Sequence, residues 1–235
     1  MNRIRAVKSV GIVGLGAMGR PVARHIAAKG YTVIGFDTRP EAVAGAEGVA
    51  GATSCQDIAR QSDLVLVAVG FDAEVEACVF APDGLLAGAQ DGAVIVVAST
   101  IAPKTMARIA ERAKGKPVHF VDAPMTRGED AAIAGKLLAM VGGDQAAVAA
   151  ARPVLEAFTD TIHHLGPVGT GQVGKLVNNL ILWACISANY EGMKLGGPWG
   201  WIPRSYARPC CAPAPATGPL KPGPVTSRCP GRKRI

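Results

Sequence analysis

Lys175 and Asn179 are a candidate pair for proton-transfer chemistry. They lie in a stretch with helical character, and a spacing of four residues places both on one face of a helix. In a closed cleft, desolvation would lower the pKa of the lysine amine, which could then exchange a proton near neutral pH. An exposed lysine at a helix start is the alternative, so the pair needs support from the rest of the chain.

A glycine-rich segment near the start of the chain indicates a phosphate-binding turn. Residues 10–19 run from an apolar strand pattern into a helical one, with Gly14, Gly16 and Gly19 in the G-x-G-x-x-G spacing. The first glycine permits a tight turn, the second lets a pyrophosphate approach the backbone, and the third lets helix and strand pack closely. The positive end of the helix then faces the phosphates, with Leu15, Ala17 and Met18 completing the predicted loop.

An acidic residue after the second predicted strand favours NAD as the cofactor. Asp37 follows Gly19 by 18 residues, where a carboxylate can accept hydrogen bonds from ribose hydroxyls and repels a 2′-phosphate. Arg39, two residues on with Thr38 between, could instead bind such a phosphate. We therefore predict NAD and leave NADP open.

The elements that must position these residues alternate between strand and helix patterns. Apolar strand runs separated by Ala-rich helical stretches are typical of a doubly wound, mostly parallel sheet of the Rossmann type. Strands are predicted at Val7–Val13, Thr32–Phe36, Leu64–Val69, Val94–Val97, Val118–Val121 and Leu137–Val141. Helices are predicted at Ala17–Lys29, Pro40–Ala46, Cys55–Arg60, Ala73–Phe80, Lys104–Lys114, Ala146–Phe158 and Gly171–Lys194.

Composition excludes several other classes of protein. The chain has 235 residues, 49% of them hydrophobic, with a net charge of +7, and seven of its 25 Lys and Arg residues lie after residue 194, where acidic residues are lacking. The remaining 18 balance the 18 Asp and Glu, so we expect no nucleic-acid partner, although a basic tail that binds nucleic acid is an alternative. No run reaches the ~20 apolar residues of a membrane span. The six cysteines lack metal spacing and are predicted to be reduced, and we expect a cytoplasmic protein without a metal site.

Four sequence blocks resemble the β-hydroxyacid dehydrogenase family, which includes 3-hydroxyisobutyrate dehydrogenases and tartronate semialdehyde reductases. They are residues 11–23 around the glycines, 98–104 (ASTIAPK), 122–128 (DAPMTRG) and 166–179 (GPVGTGQVGKLVNN). The resemblance implies that Thr100 lies beside the nicotinamide and the substrate. It also implies that Lys175 exchanges a proton with the substrate oxygen, that Asn179 orients that oxygen, and that the parent enzymes are homo-oligomers.

The third block departs from the family pattern of Ser-Gly-Gly. Thr126, Arg127 and Gly128 occupy these substrate-binding positions, so an arginine replaces the first glycine. A guanidinium fork suits carboxylate, sulfonate or phosphate, as in relatives that resemble sulfolactaldehyde reductases. Arg127 is therefore a candidate reader of an anionic hydroxy acid or aldehyde, with a solvated loop charge as the alternative.

The helical pattern stops near Gly196. We expect a dinucleotide-binding domain over residues 1–165, an interdomain helix over 166–196, and a disordered, basic, proline-rich tail over 197–235. The resemblance implies a further helical domain, and we expect a frameshift or truncation near Gly196, with a genuine extension as the alternative. The sequence thus predicts an NAD(P)-dependent oxidoreductase of small 3-hydroxy acids or semialdehydes. A nucleotide-binding remnant without turnover, prone to aggregate, is the competing hypothesis.

Overall fold

The computed structural model describes residues 4–196. The chain divides into two units, Met1–Leu180 and Ile181–Ile235, and residues 181–196 are the described part of the second. The predicted disordered tail lies outside the described residues.

The first unit is built around one mixed sheet of nine strands. Its order is β3-β2-β1-β4-β5-β6-β8-β7, with β9 paired to β8. The strands from β3 to β6 are parallel, whereas β8 runs antiparallel to both β6 and β7 and parallel to β9. The bounds are β1 Ser9–Val13, β2 Thr32–Phe36, β3 Val49–Gly51, β4 Leu64–Val67, β5 Ala93–Val97, β6 Val118–Asp122, β7 Met125–Thr126, β8 Leu137–Gly143 and β9 Thr159–Gly166.

Helices connect these strands. They are α1 Gly19–Ala28, α2 Pro40–Ala44, α3 Cys55–Gln61, α4 Asp72–Phe80, α5 Leu85–Gly88, α6 Pro103–Arg112, α7 Gly128–Ile133, α8 Gln145–Leu155 and α9 Thr170–Gly196. The doubly wound, mostly parallel sheet followed by a long helix is therefore confirmed.

The sheet has an apolar layer on each face. In β5, Val94 and Val96 belong to one buried cluster, while Ile95 and Val97 belong to the other. Successive side chains of a strand point to opposite faces, so a strand covered on both sides must be apolar throughout. This requirement explains why the runs of Val, Ile and Leu predicted the central strands well.

The shortest or most exposed elements escaped prediction. They are β3, α5, β7, α7 and β9. β9 has the sequence TDTIHHLG and is half-buried or exposed along most of its length, so it lacks the apolar run of the central strands. His163 and His164 lie within it, as predicted for ordinary strand residues. The predicted helix over Ala146–Phe158 ends earlier than expected, at Leu155.

Helix α9 contributes to both units. In the first unit its initial residues Gly171 and Gln172 are buried, while Leu176, Val177 and Leu180 are exposed. In the second unit, described up to residue 196, the exposed large side chains are Ile181, Leu182, Trp183, Ile186, Tyr190 and Leu195. Among residues 4–196, no helix combines the length and the apolar character that crossing a membrane requires.

Candidate active site

The carboxyl ends of the parallel strands meet at one edge of the sheet. In doubly wound folds, ligands bind at this edge, where the strand order reverses. Here the reversal lies between β1 and β4, so the loops that follow these two strands flank the expected binding crevice.

The glycine loop after β1 has the geometry of a tight turn. Gly14 has φ +92°, and a Cβ there would lie 2.4 Å from the carbonyl oxygen of Ala68. A Cβ on Gly19, the first residue of α1, would overlap the carbonyl oxygen of Gly14. These contacts confirm why two of the three motif positions exclude a side chain.

Gly16 is different, because the protein's own packing does not require a glycine there. Among the described residues, the atom nearest to a Cβ at Gly16 would be Arg39 Nη2, at 3.8 Å. Gly16 instead lines a cleft of about 440 Å³, together with Gly14, Asp37, Thr38 and Arg39. The backbone here is open, as a phosphate-binding position requires, since the phosphates of a dinucleotide approach the chain at the second glycine of the motif.

The other predicted loop residues lie beside this cleft. Leu15 is buried and its backbone N–H donates to Asp37 Oδ2 at 2.9 Å. Ala17 is exposed and Met18 precedes α1. Leu15 thus contributes to the site through its backbone rather than its side chain.

Asp37 is held between the glycine loop and Arg39. Its Oδ1 accepts hydrogen bonds from the backbone N–H of Arg39 at 2.9 Å and from Arg39 Nε at 3.1 Å. Burial alone would raise the pKa of Asp37, but the bonds from Arg39 and Leu15 outweigh it and lower that pKa. Asp37 is therefore an anion at neutral pH, placed to accept hydrogen bonds from a ligand in the cleft.

The segment after β5, which carries Thr100, is anchored by its neighbours. Ser99 is buried, and its hydroxyl oxygen accepts a hydrogen bond from the backbone N–H of Val69 at 2.9 Å. Thr100 itself is exposed. The anchoring leaves the Thr100 side chain free to meet a ligand.

Asp122, the last residue of β6, was not among the predicted site residues. It is fully buried, and its carboxylate accepts hydrogen bonds from the backbone N–H groups of Gly169 at 2.6 Å and Gln172 at 2.8 Å. Burial raises the pKa of Asp122 in spite of these bonds. The carboxylate therefore connects the edge of the sheet to the start of α9.

Gln172 also escaped prediction, although it lies inside the fourth sequence block. Its side chain is fully buried, its Nε2 donates to the carbonyl oxygen of Ser99 at 2.8 Å, and its Oε1 accepts from the backbone N–H of Ile101 at 3.0 Å. The amide thus brackets Thr100. The resemblance could have drawn attention to Gln172, but its partners, more than 70 residues away in sequence, could not be deduced.

Lys175 lies three residues after Gln172, on the same side of α9. It is half-buried, and burial lowers the pKa of its amine. Asn179 lies one turn further along and is also half-buried. The direction of the lysine pKa shift agrees with the one that the sequence predicts.

Arg127 is engaged with the protein itself. Its Nη1 donates to Asp160 Oδ1 at 2.6 Å and to the carbonyl oxygen of Lys136 at 2.8 Å. Arg127 has φ +87°, a left-handed conformation for which glycine is better suited, and Gly128 follows with φ +77°. Thr126 is half-buried in β7. These contacts favour a structural role for Arg127, and substrate binding by residues 126–128 stays a prediction.

Other predicted features concern cysteine and metal. Cys55, Cys78 and Cys185 are free thiols, as predicted for these three. Within residues 4–196, His, Cys, Asp and Glu side chains do not gather into a group that could hold a metal ion.

The fold and the glycine loop define a dinucleotide-binding α/β domain. A family described as the NAD binding domain of 6-phosphogluconate dehydrogenase matches residues 9–166, and the chain belongs to this family. The resemblance to 3-hydroxyisobutyrate dehydrogenase-like β-hydroxyacid dehydrogenases is likewise confirmed.

Characterised relatives make this resemblance concrete. The chain is 38% identical to the NAD-dependent L-serine dehydrogenase of Pseudomonas aeruginosa over 192 residues, which cover 81% of this chain and 64% of the relative. It is 36% identical to the 3-hydroxyisobutyrate dehydrogenase of the same organism, covering 80% of this chain and 63% of the relative. The chain therefore spans slightly less than two thirds of the length of these enzymes.

A solved structure of a related enzyme has the same fold over the matched residues. The 3-hydroxyisobutyrate dehydrogenase of Mycobacterium tuberculosis, determined with L-serine, superposes with a TM-score of 0.78 at 32% identity. The match covers 82% of this chain and 66% of that one.

Proposed function

We propose that this chain belongs to an oxidoreductase that interconverts small 3-hydroxy acids and their semialdehydes, with NAD preferred over NADP. The observation that carries the proposal is the half-buried Lys175. It lies one helical turn from Gln172, whose side chain bonds the backbone on both sides of Thr100. Because Lys175 follows Gln172 on the same side of α9, this arrangement supports Lys175 as the amine that exchanges the proton.

Each residue of the site has a defined task in this reaction. A bound nicotinamide dinucleotide would supply the hydride acceptor or donor. The Gly14–Gly19 loop and Asp37 would hold its phosphates and adenosine ribose. Lys175 would donate a proton to the substrate oxygen during reduction and remove it during oxidation, while Asn179 orients that oxygen.

A lowered lysine pKa suits this proton exchange. An amine with an ordinary pKa of about 10.4 is almost fully protonated at neutral pH and is a poor base. Burial lowers the pKa of Lys175, and a shift in this direction favours an amine that gives and takes a proton during the reaction.

The substrate class follows from what the relatives share. L-Serine and 3-hydroxyisobutyrate, named for the two Pseudomonas enzymes, are both small carboxylic acids with a hydroxyl on carbon 3. We assign the same class to this chain, with Thr126, Arg127 and Gly128 as the candidate contacts to the carboxylate.

The test is hydride transfer followed by nicotinamide absorbance, with L-serine and 3-hydroxyisobutyrate as substrates and NAD⁺ or NADP⁺ as cofactor. Lys175→Ala should lower turnover at least about 100-fold, the low end of general acid–base contributions, and leave cofactor affinity unchanged. Lys29→Ala, an exposed lysine at the end of α1, is the matched control. Cofactor binding without turnover of either substrate would contradict the proposal and favour the nucleotide-binding remnant.

The exposed apolar side chains of α9 support self-association. In the first unit, Leu180 is 70% exposed, and Leu176 and Val177 lie on the same stretch. Contiguous apolar surface of this kind drives association in water. Light scattering should detect oligomers or aggregates, and Leu180→Lys should shift the population towards monomer. A monodisperse monomer of the unmodified chain would contradict this part of the proposal.

A further inference from the structure

Two fully buried polar side chains join three separate segments of the first unit. Asp122 ends β6 and binds the first turn of α9, and Gln172 lies in that turn and binds the segment between β5 and α6. Buried polar groups are costly unless they are paired, so these contacts leave little freedom for alternative arrangements.

The carboxylate of Asp122 lies in a site shaped by two glycines. A Cβ on Gly142 would lie 2.5 Å from Asp122 Oδ1, and a Cβ on Gly171 would lie 2.7 Å from Asp122 Oδ2. Backbone oxygens are close as well, since Met140 O would be 2.4 Å from a Cβ on Gly171. The start of α9 can therefore approach the end of β6 only because both positions lack a side chain.

The amide of Gln172 uses one donor and one acceptor on the two residues that flank Thr100. Its bonds to Ser99 and Ile101 connect the first turn of α9 directly to that segment on both sides of Thr100. Lys175 follows on the same side of the helix, so a shift of this turn moves the amine by a similar distance.

We infer that Asp122 and Gln172 are positioning residues, which set where the Lys175 amine lies beside the Thr100 segment. The inference rests on the proposed function, in which Lys175 exchanges the proton. Neither residue takes part in proton transfer, and each acts through the backbone of α9 or of the β5–α6 segment.

Shape-conserving variants test this inference. Gln172→Met keeps the length of the side chain but loses both hydrogen bonds, and Asp122→Asn keeps the shape but loses the charge. The matched controls lie at the start of α8, where Asp144 accepts a hydrogen bond from the backbone N–H of Ala146 and Gln145 is exposed. Asp144→Asn and Gln145→Met make the same chemical changes at a helix start that holds no proposed site residue.

The first readout is acylation of the Lys175 amine as a function of pH, followed by peptide mass spectrometry, with exposed Lys29 as the internal reference. In the unmodified chain the midpoint for Lys175 should lie below that of an ordinary lysine. In Gln172→Met and Asp122→Asn it should move upward, because the amine leaves its desolvated position. The two controls should match the unmodified chain.

The second readout is steady-state hydride transfer. Gln172→Met should lower kcat by roughly 10- to 100-fold, since misplacing a reacting group by about 1 Å can cost that much, and leave the KM for the dinucleotide unchanged. An unshifted Lys175 midpoint in folded Gln172→Met and Asp122→Asn would overturn the inference. If either variant failed to fold by circular dichroism, the other variant would decide.

The two proposals can fail independently. Undiminished turnover in Lys175→Ala would refute the proton-transfer role, while the acylation midpoints would still report how the amine is held. If Lys175→Ala were inactive but the Lys175 acylation midpoint in Gln172→Met and Asp122→Asn equalled that of the unmodified chain, the positioning role alone would be refuted.

Discussion

The dinucleotide end and the proposed proton-transfer end of the site each contain a carboxylate that bonds the neighbouring backbone, but the two carboxylates differ in surroundings. The side chain of Asp37 is 8% exposed and is paired with an arginine side chain that is 59% exposed, so water or a ligand can replace the guanidinium while the backbone bonds from Leu15 and Arg39 remain. Asp122 is fully buried and bonds backbone N–H groups that cannot move away without displacing α9. Exposed ion pairs contribute little to stability, whereas buried polar groups are expensive to leave unpaired.

The surroundings of Asp37 can therefore adapt to a ligand, whereas those of Asp122 are rigid. In the proposed cofactor complex, ribose hydroxyls would replace the exposed Arg39 side chain on Asp37. The buried bonds of Asp122 and Gln172 go to backbone groups, which a ligand would not replace. We therefore expect cofactor exchange to change the contacts of Asp37 and to leave those of Asp122 and Gln172 in place.

The largest effect expected from this comparison concerns stability. Asp122→Ala should lower the free energy of unfolding by about 3 kcal/mol, because two buried N–H donors lose their acceptor at about 1–3 kcal/mol each. Asp144→Ala, at the exposed start of α8, should cost only about 1 kcal/mol. Urea unfolding followed by circular dichroism measures both. Equal losses would show that burial does not distinguish the two carboxylates.

A smaller effect is expected on cofactor binding. Asp37→Ala should weaken NAD(H) binding by about 1–3 kcal/mol, the range for a polar partner left unmatched, and should weaken NADP(H) binding less. Arg39→Ala is the complementary variant and should weaken NADP(H) more than NAD(H). Isothermal titration with both cofactors measures the ratio of the NAD(H) and NADP(H) affinities in each variant. Tighter NADP(H) binding by the unmodified chain would mean that Arg39 dominates the selection.

The pH dependence of stability should have opposite signs at the two ends. Native Asp122 keeps its proton above the ordinary aspartate value of about 3.9, so the native state binds more protons there and stability falls as the pH rises through that window. Native Asp37 has a lowered pKa, so its contribution is lost as the pH falls below about 3.9. Urea midpoints measured against pH should show the first trend in the unmodified chain and lose it in Asp122→Asn. A trend that survived this substitution would have another origin.

The smallest effect concerns Arg127, which lies in neither carboxylate network. Arg127→Ala should cost less than about 1 kcal/mol, because the ion pair to Asp160 is partly exposed. Arg127→Gly loses the same ion pair but relieves the left-handed backbone, so it should be more stable than Arg127→Ala by about 1 kcal/mol. Thermal unfolding of the two variants isolates this difference. A raised substrate KM in both variants would support the predicted role in substrate binding.

The sequence predicted the dinucleotide end in more detail than the proton-transfer end. Gly14, Gly16, Gly19 and Asp37 lie within about one strand–helix–strand unit, and their spacing is itself the geometric requirement. The central strands could be predicted equally well, since burial on both faces demands a continuous apolar run.

The proton-transfer end depends on contacts that no local pattern encodes. Asp122 and Gln172 are 50 residues apart, and Gln172 reaches Ser99 across 73 residues. A buried aspartate at a strand end and a glutamine in a helix are ordinary in isolation, and only the assembled sheet makes them partners. Arg127 is a second example. The sequence offered its guanidinium as a candidate substrate contact, and in the structure it donates to Asp160 on β9, a strand that the sequence did not predict.

The long reach of Gln172 also orders events during folding. Closing a loop of more than 70 residues carries an entropic penalty that must be met before the contact forms, so such contacts form late. We therefore expect the first turn of α9 to bind the Thr100 segment late, after β5 and β6 have paired. On this expectation, Lys175 becomes desolvated only in a late step of assembly.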